Sequence, residues 1–476
     1  MTSPSEPASI DPVSPGELRG PLSGLPDPLM LPKWSRRPGA APLDTLVRPP
    51  GSKSLTNRAI LLAALARGES TISRPLLGAD DAERMLAAVG TLGARVSRPG
   101  DGSLRIEGVG GRWRVPPGGV RLELGNAGTA TRFLAAASLC SPEPITIDGN
   151  ARMRSRPIGE LCEMLERLGA GVEYLGVPGC PPVRITPPEA GAVAIAGGEP
   201  MEIGRTRSSQ YVSALLLVAP FLGGGLTLRL TDEITSASYV RLTVELLDRV
   251  GADIRSSDDL RVLRVVPGLG GFSYEVEPDA SGAAYWWAAG ALLAGQRVGV
   301  SGLPAESTQG DAGLAELLGR MGAGVERDGS TVRVRGPRTL EPILADVSDL
   351  PDAAVALAVV CAFAPGTSVL RGVGTLRVKE CDRIDALRAE LSKIGAWVVE
   401  RVNGDDDVMT VTGVRGDQAL GGASRPVVFE TYDDHRMAMA LSLVALRRGG
   451  VALRDPRCVE KTYPGFFADL ATLYGA

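Results

Sequence analysis

A chain of 476 residues that is 44% hydrophobic and 22% charged has ordinary globular make-up and enough length for more than one core. Its net charge of −4 and its 4% aromatic content argue against a nucleic-acid clamp, which grips by basic charge and stacking. No run of about 18 apolar residues occurs, so no helical membrane span is expected.

Residues 1–40 are rich in Pro and Ser, with scattered Glu6, Asp11, Glu17 and Asp27, and lack the apolar stretch of a secretory signal. This composition predicts a disordered tail. Next comes Pro50-Gly51-Ser52-Lys53-Ser54-Leu55-Thr56-Asn57-Arg58, a turn opening into a helix over about Leu55 to Leu65 that Arg67-Gly68 stops. A helix start has free N–H donors and roughly half a positive charge, and Lys53 and Arg58 add to it. The stretch is therefore a candidate anion site. It is not a nucleotide-binding loop, because Val47 and Ser52 stand where that motif needs glycines.

From there the chain repeats itself. An apolar-Gly-Ala-x-(Val/Ile) signature ends an amphipathic helix and opens a strand at Leu92 to Val96, Leu168 to Val172, Val250 to Ile254, Met321 to Val325 and Ile394 to Val398. A clipped copy, Tyr474-Gly475-Ala476, closes the chain. Ahead of each lies a more apolar helix, starting near Ser54, Thr129, Ser209, Ser281, Asp352 and Asp434. Two markers in phase six times predict six α/β units of about 75 residues. Six such units exceed one core, so they divide three and three, with a seam near Glu275 to Asp279.

The polar residues gather where the apolar helices begin. They are Lys53, Ser54 and Arg58; Gly125-Asn126-Ala127-Gly128-Thr129 with Arg132; Arg207-Ser208-Ser209-Gln210; Asp279; Asp349 with Asp352; and Asp433-Asp434-His435-Arg436. Ser, Thr and Asp are ordinary N-caps, but capping does not call for the Lys, Arg, Gln and His beside them. If the helix starts of two three-fold domains face each other, they gather dipoles and cations around a strongly anionic ligand. Arg152, Arg154 and Arg156 alternate, and share a face if that segment is extended. Leu376 to Arg383 mixes both signs of charge, and Val459 to Pro464 carries Lys461.

Other residue types narrow the chemistry. The single histidine, His435, rules out a metal site built from several histidines. Cys140, Cys162, Cys180, Cys361, Cys381 and Cys458 form no CxxC pair and read as reduced thiols of a cytoplasmic protein. Only five lysines (Lys33, Lys53, Lys379, Lys393 and Lys461) occur among 51 basic residues, and three of them fall in these stretches.

Together these motifs make the chain resemble the 5-enolpyruvylshikimate-3-phosphate synthase family of enolpyruvyl transferases, from about residue 44 to the C-terminus. The resemblance rests on Lys53-Ser54 to Arg58, Gly125 to Thr129, Arg152 to Pro157, Ser208-Ser209-Gln210, Asp352, Lys379-Glu380, Arg383, Asp434-His435-Arg436 and Lys461. It implies an α/β fold of two similar domains, each of three repeated units, joined by a hinge around a substrate cleft. Residues 41–52 and 278–476 would carry repeats four to six, and residues 53–277 repeats one to three. The implied reaction moves the enolpyruvyl group of phosphoenolpyruvate to the 5-hydroxyl of shikimate 3-phosphate and releases phosphate. No metal or organic cofactor is implied, and the enzyme would be a cytoplasmic monomer whose partners are its small anionic substrates.

The resemblance also implies residue roles. Lys53, Ser54 and Arg58 would hold the shikimate ring and carboxylate, and Ser208, Ser209 and Ser236 its phosphate, with Gln210 and Tyr239 alongside. Asp352 and Lys379 would engage the ring hydroxyls. Asn126, Gly128, Arg156, Gln210, Arg383, Arg436 and Lys461 would clamp phosphoenolpyruvate, with Lys53 between the substrates. Asp352 is the candidate base, Glu380 with Lys53 the acid side, and His435 a support for Glu380. Thr375 stands where many members place an Asn against the shikimate ring, and Phe133 where many have Pro. The related UDP-N-acetylglucosamine enolpyruvyl transferases typically carry Lys-Asn at Lys53-Ser54 and a loop cysteine near the second repeat, and this chain has neither.

Overall fold

The structure is a computed structural model that describes residues 11–35, 39, 41–189, 199–402, 404–414 and 426–475. Twelve α-helices run through the described residues. In the first half they are α1 (Lys53–Leu65), α2 (Asp80–Thr91), α3 (Gly128–Ala137), α4 (Gly159–Arg167), α5 (Ser209–Val218) and α6 (Ala237–Arg249). The second half has α7 (Ala280–Leu292), α8 (Leu314–Arg320), α9 (Ala353–Cys361), α10 (Arg383–Ser392), α11 (His435–Ser442) and α12 (Phe466–Ala471). The odd-numbered helices bury nearly every side chain, as their Ala- and Leu-rich sequences allow. The even-numbered helices bury one face.

The repeat signature has a conformational cause. Gly93, Gly169, Gly251, Gly322 and Gly395 take φ of 102°, 95°, 86°, 94° and 84°, the left-handed region that glycine enters without penalty. Each lets the next alanine N–H reach back five residues, as Ala94 N does to Val89 O at 3.1 Å, and so end the helix. Each unit then forms one sheet. Five sheets have four strands, and the sixth has three.

The sixth sheet corrects the expected tail. Its antiparallel strand is Leu29–Leu31, which pairs with Val451–Leu453. Leu18, Leu25, Leu29, Met30 and Leu31 are all buried. Residues 11–35 are thus docked, because burying this apolar cluster outweighs the polar composition around it. The rest of the expected tail, apart from residue 39, lies outside the described residues.

Two hydrophobic cores result, one built from Leu55 to Val276 and the other from Leu18 to Val47 together with Ala280 to Leu473. The chain passes between them twice, and the two passages pair with each other. Ser52 N donates to Glu277 O at 2.8 Å, and Asp279 N donates to Pro50 O at 2.8 Å. A Cβ at Gly51 would lie 2.3 Å from Arg74 O, so only glycine fits at this crossing. The starts of α1, α3, α5 and α9 line the gap between the two cores, and those of α7 and α11 join them through Arg436, which lies 3.6 Å from Asp279 and 3.4 Å from Asp352.

Candidate active site

The gap is lined from both sides. One domain contributes Lys53, Ser54, Gly128, Arg156, Ser208, Ser209, Gln210, Ser236 and Tyr239, and the other Asp352, Thr375, Lys379, Glu380 and Arg383. The remaining expected site residues, Arg58, Asn126, His435, Arg436 and Lys461, do not line it but lie buried behind it.

On the first wall, helix starts are left open. Ser52 makes no side-chain cap on α1, so the first N–H groups of that helix are free for a ligand. Lys53 lies 3.4 Å from Asp81, a buried carboxylate at the start of α2. Arg58 donates to Thr243 Oγ1 (2.8 Å), Ser54 O (3.0 Å), Ser213 Oγ and Tyr239 O, and its guanidinium sits over the Phe133 ring. Ser208 caps α5 through Gln210 N, so one expected phosphate ligand is also an ordinary cap. Ser236 holds the left-handed conformation (φ 48°) at the start of α6.

The arginines of 152–156 do not share a face. A tight turn over Met153–Ser155 sends each to a different partner. Arg154 meets buried Asp148, while Arg152 crosses the gap to Glu380 O (2.7 Å) and Lys379 O (2.8 Å). Arg156 donates to Asn126 Oδ1 at 3.1 Å and lies against Gly128, where a Cβ would come within 2.6 Å of Arg156 Nη2. Gly128 is therefore a close-approach glycine.

On the second wall, cations and carboxylates interlock. Arg383, only 1% exposed, bonds Asp352 at 2.8 Å, Asp434 at 2.8 Å and Glu380 at 3.1 Å. Arg436 reaches Asp352 at 3.4 Å, and Lys379 lies 3.8 Å from it. Lys461 bonds Glu380 at 2.9 Å and crosses to Asn126 O at 3.1 Å. Burial works against charge on Asp352 and Glu380, but Lys379, Arg436 and Arg383 around the first, and Lys461, Arg383 and Arg156 around the second, outweigh it. Both carboxyls are held well below their usual range. His435 is fully buried, and burial, aided by Arg436, pushes its imidazole well below the ordinary value, so it is neutral.

Several buried polar atoms here have no partner. Arg156 Nε, Arg436 Nε and both His435 ring nitrogens are unpaired, and so is Thr375 Oγ1. Buried polar groups are normally satisfied, so unspent donors clustered with six cations mark the place of an anion.

Sequence reasoning missed Asp81 and Asp311, which belong to no motif. Asp311 accepts from Ala353 N at 3.1 Å and bonds Ser281 Oγ, tying the starts of α7 and α9 together. Burial, with Asp352 nearby, pushes its carboxyl up to about 6. A carboxyl raised on folding stabilises the protein in its protonated form, a contribution present below about pH 4 and lost as pH rises through about 6. The stability of the parent relative to Asp311→Asn is therefore expected to fall by about 2–3 kcal/mol between pH 4 and pH 7. Urea unfolding of both proteins across that range checks this, and a constant difference would mean that Asp311 does not titrate there.

Comparison with known proteins agrees with this geometry. The sequence model for EPSP synthase (3-phosphoshikimate 1-carboxyvinyltransferase) matches residues 38–470. The 3-phosphoshikimate 1-carboxyvinyltransferase of Laribacter hongkongensis is 41% identical over 445 residues, covering 91% of this chain and 98% of that one. The enzyme of the same name from Thiobacillus denitrificans is 41% identical over 443 residues, covering 92% and 98%. Among solved structures, EPSP synthase from Acinetobacter baumannii superposes with a TM-score of 0.69 at 26% identity, over 91% of this chain and 97% of that one.

Proposed function

The chain belongs to the EPSP synthase family and transfers the enolpyruvyl group of phosphoenolpyruvate to shikimate 3-phosphate; from that premise we propose how its cleft divides the work. Ser208, Ser209 and Ser236 take the acceptor's phosphate, supported by Gln210 and Tyr239. Lys53 and Ser54 take its ring and carboxylate, with the one Nη1 hydrogen that Arg58 leaves uncommitted. Asp352, Lys379 and Thr375, whose hydroxyl is unspent, face the ring hydroxyls. Arg156, Arg383, Arg436 and Lys461, with Asn126 and Gly128, bind phosphoenolpyruvate, while Lys53 and Gln210 lie between the two substrates.

The supporting observation is that carboxylates pair with the cations an anionic substrate would need. Arg383, Arg436 and Lys461 are engaged by Asp352, Asp434 and Glu380. A bound phosphate and carboxylate compete for those cations. Glu380 then loses compensation inside a buried site, and its affinity for a proton rises. It changes from a carboxylate into an acid.

The chemistry proceeds as addition followed by elimination. Asp352, ionised by its cations, removes the 5-hydroxyl proton as the oxygen attacks C2 of phosphoenolpyruvate. Glu380, beside Lys53, delivers a proton to the methylene carbon, giving a tetrahedral intermediate that bears a methyl group. Loss of a methyl proton back to Glu380 and of phosphate, which takes the proton held by Asp352 and leaves among the arginines, then regenerates the double bond and returns both carboxyls to their starting states. Neutral His435 packs near Glu380 and supports its position. Arg152 and Lys461 bond across the gap, which keeps water out while these charges act.

We further propose that the two passages at residues 50–52 and 277–279 form the hinge, dividing residues 41–52 and 278–476 from residues 53–277. Every group of the cleft comes from one chain, which favours a monomer. The described cysteines are all unpaired, which suits the cytoplasm.

The test is phosphate release from phosphoenolpyruvate and shikimate 3-phosphate. Release is expected only with both substrates, and at the same rate with a chelator present. Release without the acceptor, or loss of activity on chelation, would overturn this scheme.

A further inference from the structure

Residues 11–31 lie against the back of the segment that carries Lys461. The turn Glu17–Arg19 packs on α12, with Leu18 fully buried. The turn Leu22–Gly24 packs on Pro456–Lys461, the short helix that ends in the lysine. Val13 N donates to Met30 O at 3.0 Å and Leu29–Leu31 pairs with Val451–Leu453, so this arm folds back on itself and is pinned to the sixth sheet. Between these contacts stands Asp27, whose Oδ1 accepts from Asp455 N at 3.1 Å.

Asp455 is the joint between the strand Val451–Leu453 and the helix of Lys461. It takes the left-handed conformation (φ 46°, ψ 58°), which a residue with a side chain keeps only where its surroundings hold it. Two groups hold it here. Asp27 takes its N–H, and the buried Thr431 hydroxyl donates between the carbonyls of Arg454 (2.9 Å) and Asp455 (3.3 Å). Pro456 follows with its φ fixed by the ring, and the chain then runs through one short helix to Lys461, whose Nζ reaches Glu380 at 2.9 Å. The direction the chain takes at Asp455 therefore decides where that ammonium arrives.

We propose that Asp27 is a positioning residue: from the N-terminal arm it fixes the turn at Asp455 and so places Lys461 for phosphoenolpyruvate. This rests on the role proposed above for Lys461. The arm is then a working part of the donor site, although it touches no substrate. Without the Asp27 carboxylate, Asp455 N loses its acceptor and the turn samples other conformations. Lys461 is then correctly placed in only a fraction of the molecules, and the apparent affinity for phosphoenolpyruvate falls by that fraction. Shikimate 3-phosphate is held by other groups and keeps its affinity.

The test compares Asp27→Ala and Asp27→Asn with the parent. Asp27 is exposed, so neither change disturbs the core. Asp27→Ala is expected to raise KM for phosphoenolpyruvate about fivefold, with kcat and KM for shikimate 3-phosphate within about twofold. Asp27→Asn keeps an oxygen acceptor and should match the parent. Amide hydrogen exchange reads the turn directly. The N–H groups of Cys458, Thr462 and Tyr463 are bonded within the helix and just after it, and their exchange should rise about tenfold in Asp27→Ala while α11 keeps the parental rate. An unchanged KM for phosphoenolpyruvate, an equal rise for both substrates, or unchanged exchange at those three amides would each overturn the proposal. A Lys461→Ala protein with parental KM and kcat would instead overturn the role given to Lys461, and the exchange result would still decide whether Asp27 sets the turn.

Discussion

Lys53→Arg is expected to lower kcat about 100- to 1,000-fold while leaving the fold intact, the scale of loss when one preorganised donor no longer meets the transition state. Lys53 opens α1, where no side chain caps the helix, and its ammonium is 3.4 Å from Asp81. In the arrangement proposed above it faces both substrates from a compact position with three rotatable donors. A guanidinium is planar and larger, and it would have to fit beside Ser54, Gln210 and Asp352 on the same lining. Charge is conserved in this substitution, so a loss reports geometry rather than electrostatics. Steady-state phosphate release measures the effect, with the urea midpoint as a control for folding. A kcat close to that of the parent would remove Lys53 from the mechanism.

Arg383→Gln is expected to have the largest effect on stability, about 3–5 kcal/mol, and to abolish turnover. The cause is the three carboxylates around one buried guanidinium. Asp352, Glu380 and Asp434 would keep their burial and lose their shared partner. Because Asp352 and Glu380 are held well below their usual range in the parent, their pairing stabilises it above about pH 4, and that contribution is lost only in stronger acid. In the variant they can be neutralised by protonation instead. The stability deficit is therefore greatest near pH 7 and shrinks toward pH 4. Urea midpoints at the two pH values check this, and an equal or larger deficit at pH 4 would contradict the ion network drawn here.

The six-fold layout was legible because its two markers are local. A helix that is apolar all round, and a glycine forced into the left-handed region by a helix end, both write themselves into neighbouring residues. The expected helix starts at Ser54, Thr129, Ser209, Ser281, Asp352 and Asp434 each fall within one residue of a start in the structure. Leu29–Leu31 left no such trace. Three apolar residues in a Pro- and Ser-rich context look like nothing until their partner at Val451–Leu453 is in place. Asp81 and Asp311 were invisible for the same reason. A lone acid has no pattern, and its meaning comes from Lys53 or Ala353 brought to it from elsewhere in the chain. Arg58 reads from the sequence as a free cation at a helix start, but the extent to which protein groups occupy it was not legible.

The borrowed strand imposes an order on synthesis. The Leu55–Val276 core is one uninterrupted stretch and can assemble as soon as it leaves the ribosome. The other core cannot, because Leu29–Leu31 and Asp44–Val47 emerge first yet find their partners only at Val451–Leu453 and Arg297–Ser301. Leu29–Leu31 must wait, unpaired, until about 420 further residues have been made.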